Sequence, residues 1–162
     1  MSRPVLALLL LAVTASAYQL EVSPSNPCVA RGNGTCFDFS SMFSYPVHFN
    51  VSSNGGNPGT YEYWYSPCEP VKCDGYNKDV AVCQRADQFY DAGSVNPLYL
   101  WNGARPDSGE SANLTILFPG GTTWRNTLVT VVEADVTPAT IQMTGEDPFL
   151  QYNFLIRSKT LG

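Results

Sequence analysis

Residues 68–84, CEPVKCDGYNKDVAVCQ, carry three of the chain's five cysteines. An aromatic run precedes them (Tyr61, Tyr63, Trp64, Tyr65), and the stretch closes through Val80-Ala81-Val82. Both flanks are built from residues that suit a pleated, half-buried surface, so each reads as a strand. The stretch ends in Cys83-Gln84, which sets an amide side chain directly after a disulfide candidate. A side chain beside a covalent anchor is pre-oriented and loses little entropy when it hydrogen-bonds a ligand. The plainer alternative is a surface glutamine, since most glutamines are exposed.

Outward from that stretch, the amino terminus reads as a secretory leader over residues 1–17. Arg3 supplies a basic start, Val5 to Val13 an apolar run, and Ala15-Ser16-Ala17 a small-x-small site with cleavage before Tyr18. The apolar run is shorter than the ~20 residues a membrane span needs, and no later stretch is long enough. Residues 18–162 therefore read as a soluble domain large enough for a real core. Nine Lys and Arg face 14 Asp and Glu, a formal net charge of −5. The cations are scattered, so they do not form the cluster that phosphate neutralisation requires, and no nucleic-acid partner is expected.

Secretion permits disulfides among Cys28, Cys36, Cys68, Cys73 and Cys83. Five cannot all pair within one chain, and spacing alone leaves the connectivity open. A metal site lacks ligands: the chain has one histidine, His48, and no CxxC. His48 alternates with apolar neighbours in Val47-His48-Phe49-Asn50-Val51, the pattern of a strand residue facing solvent. Three sequons, at Asn33, Asn50 and Asn113, are candidate N-glycan acceptors.

Strand signals dominate. The expected strands are Phe37–Phe43, Tyr45–Val51, Tyr61–Tyr65, Val80–Gln84, Leu98–Trp101, Asn113–Phe118, Thr127–Glu133, Thr140–Thr144 and Leu150–Arg157. In the last of these, Leu150, Tyr152, Phe154 and Ile156 share one face. Asn54 to Gly59, Asp91-Ala92-Gly93, Pro119-Gly120-Gly121 and Gly145-Glu146-Asp147-Pro148 punctuate them. A short helical turn is expected within Asp79–Tyr90. Many short strands separated by turns predict an all-β fold, a barrel or sandwich.

The order of motifs resembles a mannose 6-phosphate receptor homology domain, the lectin module of the mannose 6-phosphate receptors. The resemblance runs over most of residues 18–162. It rests on Cys28, then Phe37-Asp38-Phe39-Ser40-Ser41-Met42, Cys68-Glu69-Pro70-Val71, Cys73, Ala81-Val82-Cys83-Gln84, Trp124-Arg125-Asn126-Thr127 and Tyr152-Asn153-Phe154. It implies a flattened β-barrel or sandwich of two packed antiparallel sheets. It also implies disulfides Cys28–Cys68 and Cys73–Cys83, with Cys36 either left over and buried or exchanging with Cys28.

The same resemblance implies a sugar site of four side chains: Gln84, Arg125, Glu146 and Tyr152. Asp147 and Glu133 are the rivals of Glu146. The chemistry suits a hexose, whose hydroxyls both donate and accept. Gln does both, Arg is a fixed donor fork and a carboxylate accepts. The implied function is non-catalytic binding of mannose-type N-glycans, with or without phosphate, on glycoproteins such as lysosomal hydrolases. No cofactor is implied, although Asp107 lies where some family receptors carry an acid that contacts a divalent cation. The chain departs from the family in having no cysteine after Cys83, so the loop from Arg105 to Gly121 lacks its usual brace. Two other readings compete: a degenerate module that keeps the fold for protein contacts, and a two-carboxylate glycosidase. The second has only adjacent acids in turns (Glu146/Asp147, Glu133/Asp135) and no nucleophile or metal motif.

Overall fold

The computed structural model describes residues 18–32, 34–54, 57–102, 113–147 and 149–159. The expected leader, Asn33, Asp107 and the carboxy-terminal Leu161-Gly162 lie outside the described residues. The chain is all-β, with two packed sheets. Its strands are β1 (Tyr18–Ser23), β2 (Asn26–Gly32), β3 (Thr35–Asp38), β4 (Val47–Asn54), β5 (Asn57–Tyr65), β6 (Val71–Lys72), β7 (Asp79–Arg85), β8 (Phe89–Ser94), β9 (Leu98–Asn102), β10 (Asn113–Phe118), β11 (Asn126–Glu133), β12 (Thr140–Glu146) and β13 (Gln151–Ser158). No helix among the described residues is long and apolar enough to cross a membrane.

One sheet runs β12-β13-β11-β10-β9-β1-β2-β3; the other is β4-β5-β7-β6, with β8 also paired to β7. Strand β1 turns the corner of the larger sheet. Its first residues pair with β9 and its later ones with β2. The pairing is antiparallel except between β11 and β13, which run parallel in unbroken register from Asn126↔Gln151 to Glu133↔Ser158. Strand β12 makes the return between them and lies outside β13.

Period-two alternation decides what goes between the sheets. On β13, Tyr152, Phe154 and Ile156 are buried while their neighbours are half-buried. Phe154 meets Phe49, Tyr63 and Tyr65 of the opposite sheet edge-on, with ring centroids 5.2, 5.3 and 6.2 Å away. Such edge-to-face contacts add about 0.5–1.5 kcal/mol each beyond the area buried. Strand β8 closes one side of the sandwich. Thr127 Oγ1 donates to the Ala92 carbonyl (3.0 Å), and the Ser94 amide donates to the Pro119 carbonyl (3.1 Å).

Cys28 is bonded to Cys68 and Cys73 to Cys83, as the resemblance implied. Such bonds belong to an oxidising, secretory-type environment. Cys36 is free and exposed on β3, so the expectation that it is buried or exchanges with Cys28 is corrected. His48 is exposed on β4, stacked on Trp64 with ring centroids 4.7 Å apart. Asn50 is exposed on the same strand, and Asn113 is half-buried at the start of β10.

Other expectations fail for visible reasons. The helical turn within Asp79–Tyr90 is the hairpin β7–β8. The Asp-Ala-Gly read as a break is the middle of β8. There the buried Asp91 carboxylate pairs with Lys78 (2.5 Å) and accepts from the Gly93 amide (3.1 Å). The strand expected over Phe37–Phe43 stops at Asp38, because Asp38 Oδ1 accepts from the Ser40 amide (2.9 Å) and hydroxyl (2.6 Å) and turns the chain. The same bonds lower the Asp38 pKa, the side-chain one most.

At Gly93 a Cβ would stand 2.7 Å from Phe118 Cβ. Gly93→Ala is therefore expected to cost about 1–3 kcal/mol through overpacking. The check is a lower urea midpoint at unchanged slope.

Candidate ligand-binding site

Gln84 owes its direction to its neighbour. Cys83 packs in a small outer cluster with Val71, Cys73 and Val80, and its two neighbours along β7, Val82 and Gln84, face the other way, into the sandwich. There Gln84 is buried, with 2% of its surface exposed. Its Nε2 donates to the Tyr63 hydroxyl (2.7 Å). Its Oε1 accepts from the Tyr152 hydroxyl across the sandwich (3.0 Å). The Tyr152 oxygen in turn accepts from Arg125 Nε (3.0 Å). The amide of one sheet and the guanidinium of the other are thus joined through a single phenol.

Arg125 is held from three sides. The chain tightens before it into a 3-10 turn at Thr122–Trp124, and the Arg125 amide donates to the Thr122 carbonyl (3.2 Å). Its carbonyl accepts from the Gly121 amide (2.7 Å). Gly121 must be glycine, since a Cβ there would lie 2.5 Å from the Asp91 carbonyl. The guanidinium carbon stands 4.1 Å from the centre of the Tyr90 ring, a cation–π contact. Tyr90 is fixed in its turn, donating to Asp87 Oδ1 (2.8 Å) and accepting from Gln88 Nε2 (3.1 Å). That bond from Tyr90 is also the main reason the Asp87 carboxyl lies below its ordinary value.

Glu146 is the last residue of β12, directly opposite Tyr152, and not part of a turn as expected. Its Oε1 accepts from the Leu150 amide (2.7 Å). Its rivals are placed elsewhere. Asp147 is exposed, and its backbone ties down β13, accepting from Gln151 and Asn153 side chains. Glu133 is exposed at the far end of β11, roughly 26 Å along the strand from Arg125. The four expected residues come together, Gln84 and Tyr152 buried and Arg125 and Glu146 half-buried.

The sequence reasoning missed Tyr63 and Tyr90. Tyr63 had a signal, since Tyr61, Tyr63 and Tyr65 alternate on one face of β5, yet nothing local says that one hydroxyl reaches Gln84. Burial pushes the phenols of Tyr63 and Tyr152 above their ordinary value. At Tyr63 the neighbouring Tyr152 and Glu146 push the same way, whereas at Tyr152 the Arg125 charge opposes the shift. Chemically, the cluster offers donors and acceptors of both kinds within one short span. Gln84 retains a second N–H and a second lone pair, and Arg125 retains N–H groups beyond those its Nε gives Tyr152 and its Nη1 gives the Thr122 carbonyl (3.2 Å). No protein-family model and no curated protein sequence matches the chain.

Tyr152→Phe keeps the ring and removes the bridge. It leaves Gln84 Oε1 without its donor, and the expected loss is about 1–3 kcal/mol in urea unfolding. The raised phenol values carry a sign as well. Above about pH 10 the unfolded chain releases phenol protons that the folded chain keeps, so the unfolded state binds fewer protons and stability falls as pH rises. Unfolding midpoints are expected to drop above about pH 10, and Tyr63→Phe to lessen the drop.

Proposed function

We propose that this chain is a lectin domain of the mannose 6-phosphate receptor homology type, binding mannose-type N-glycans without doing chemistry on them. The observation that carries the reading is the hydrogen-bonded series Gln84–Tyr152–Arg125, with Glu146 set opposite Tyr152. These are the four side-chain types, at the four positions, that the resemblance assigns to the sugar. A buried amide, a phenol, a guanidinium and a carboxylate in one cluster suit a ligand with several adjacent hydroxyls. The binding partners are glycoproteins carrying oligomannose chains, with or without phosphate. The compartment is the lumen of the secretory pathway, from endoplasmic reticulum to lysosome, or the extracellular space.

One observation favours a second reading. Gln84 and Tyr152 are almost fully buried and satisfy one another, as a polar core of a protein-contact module would. The two readings separate on a glycan array carrying oligomannose with and without phosphomannose. The lectin reading expects capture by the unmodified chain, with a loss of roughly 10- to 100-fold in Arg125→Ala and in Gln84→Ala, the size of one charge-assisted or buried hydrogen bond. Near-ultraviolet circular dichroism checks that each variant stays folded. Capture that survives both substitutions overturns the lectin reading. No capture by the unmodified chain, with Gln84→Ala losing stability, supports the second.

A further inference from the structure

The solvated face of an antiparallel sheet is ordinarily polar, but the outer face of the smaller sheet carries rings. Its orientation follows from contacts. Phe49 and Tyr63 stack inside the sandwich (ring centroids 5.6 Å apart), so their strand neighbours His48, Asn50, Glu62 and Trp64 point outward. There the His48 ring lies flat on Trp64, with 4.7 Å between centroids and 10° between planes. Trp64 meets Phe89 at 5.8 Å. The Arg85 guanidinium carbon stands 6.0 Å from the centre of the Phe89 ring, and Arg85 Nη2 pairs with Glu62 Oε1 (3.1 Å). Glu62 Oε2 lies 3.3 Å from His48 Nε2, which closes the circuit. Trp64 and Phe89 also pack against the small outer cluster around Cys83, so the rings are held from one side.

Asn50 stands at the margin of this circuit. It is directly opposite Glu62, two residues along β4 from His48, and exposed. Directly opposite residues have Cβ atoms about 5 Å apart, and the diagonal to Trp64 is about 7–8 Å. Asn50 opens the sequon Asn50-Val51-Ser52, in which Ser52 is exposed as well. A sequon commonly lies in a surface loop, where the asparagine has no fixed direction. Here strand pairing fixes it, because Phe49 and Val51 on either side pack against the core. Of the other two sequons, Asn113 is half-buried and Asn33 lies outside the described residues.

We infer that Asn50 carries an N-glycan whose first N-acetylglucosamine is seated on the His48–Trp64 stack. The ligand of this face is the chain's own covalent sugar, and the inference is independent of the lectin reading. The bond forms between Asn50 Nδ2 and the anomeric carbon of a lipid-pyrophosphate-linked oligosaccharide; the amide gives up one proton and the lipid pyrophosphate leaves. The amino sugar lays its C–H face and acetyl methyl on the rings. Its hydroxyls and amide meet Glu62 and Arg85, an acceptor and a donor already held in place. Strand β4 is the end strand of its sheet, so a bulky solvated group there also hinders that edge from pairing with another chain.

The test uses the full chain secreted from cultured eukaryotic cells. Peptide mapping after peptide-N-glycosidase treatment, which turns an occupied asparagine into aspartate, is expected to mark Asn50. Ser52→Ala removes the acceptor signal and keeps Asn50. It is expected to lower the folded-to-unfolded ratio in urea roughly two- to tenfold, the size of one stacked contact. In His48→Ala and in Trp64→Leu, adding Ser52→Ala is expected to cost nothing further, because the seat is already gone. His48 is exposed, so His48→Ala keeps the comparison readable if Trp64→Leu fails to fold. An unoccupied Asn50 overturns the inference. So does an occupied Asn50 whose loss costs the same with the stack as without it. An unoccupied Asn50 together with self-association in sedimentation that Trp64→Leu abolishes gives the face to a second copy of the chain instead.

Discussion

Two sheets cannot enclose an amide and two phenols unless those groups answer one another, because an unpaired buried polar group costs about 1–3 kcal/mol. The hydrogen bond from the Tyr152 hydroxyl to Gln84 Oε1 meets that constraint across the sandwich. Everything at the site is placed relative to it. Tyr63 accepts from the far side of the same amide, Arg125 donates to the same phenol, and Glu146 lies opposite Tyr152 in the sheet. The polar cluster is therefore part of the packing and cannot be moved as a surface loop could be.

The scaffold explains the precision. Phe154, two residues on from Tyr152 along the same face of β13, is wedged among Phe49, Tyr63 and Tyr65. The apolar contact and the polar one are thus made by the same strand and the same alternation. On the opposite sheet, the Cys73–Cys83 bond anchors the residue before Gln84. A rigid strand on one side and a covalent anchor on the other leave the amide and the phenol little conformational freedom. Arg125 is the exception, since it sits on a turn, and it is steadied by Tyr90 beneath it and by the bonds of Thr122 and Gly121.

Much of this was readable along the chain. Strand-forming residues with period-two alternation and Gly/Pro breaks announced a β-barrel or sandwich, and β13 has Tyr152, Phe154 and Ile156 on the inner face as expected, while Leu150, expected on that face, lies in the left-handed turn before the strand. What was missed follows from contacts at long range. Strand β8 contains Asp91 and Gly93, which look like turn residues. They are strand residues because Lys78 neutralises the one and Phe118 leaves no room for a side chain on the other. Strands β1 and β2 carry Pro and Ser that weaken a local signal, and pairing with β9 and β3 overrides it. The parallel pair β11–β13 has no local signature at all, since direction is set by where β12 returns.

The sequence by itself determined the fold class, because periodicity is a property of neighbours along the chain, and only its resemblance to the lectin family singled out Gln84, Arg125, Glu146 and Tyr152. Only the tertiary structure decided that Glu146, and neither Asp147 nor Glu133, stands opposite Tyr152, and that Tyr63 and Tyr90 join the cluster. Those facts depend on strand register, and register comes from how two sheets share one core, which no local stretch contains.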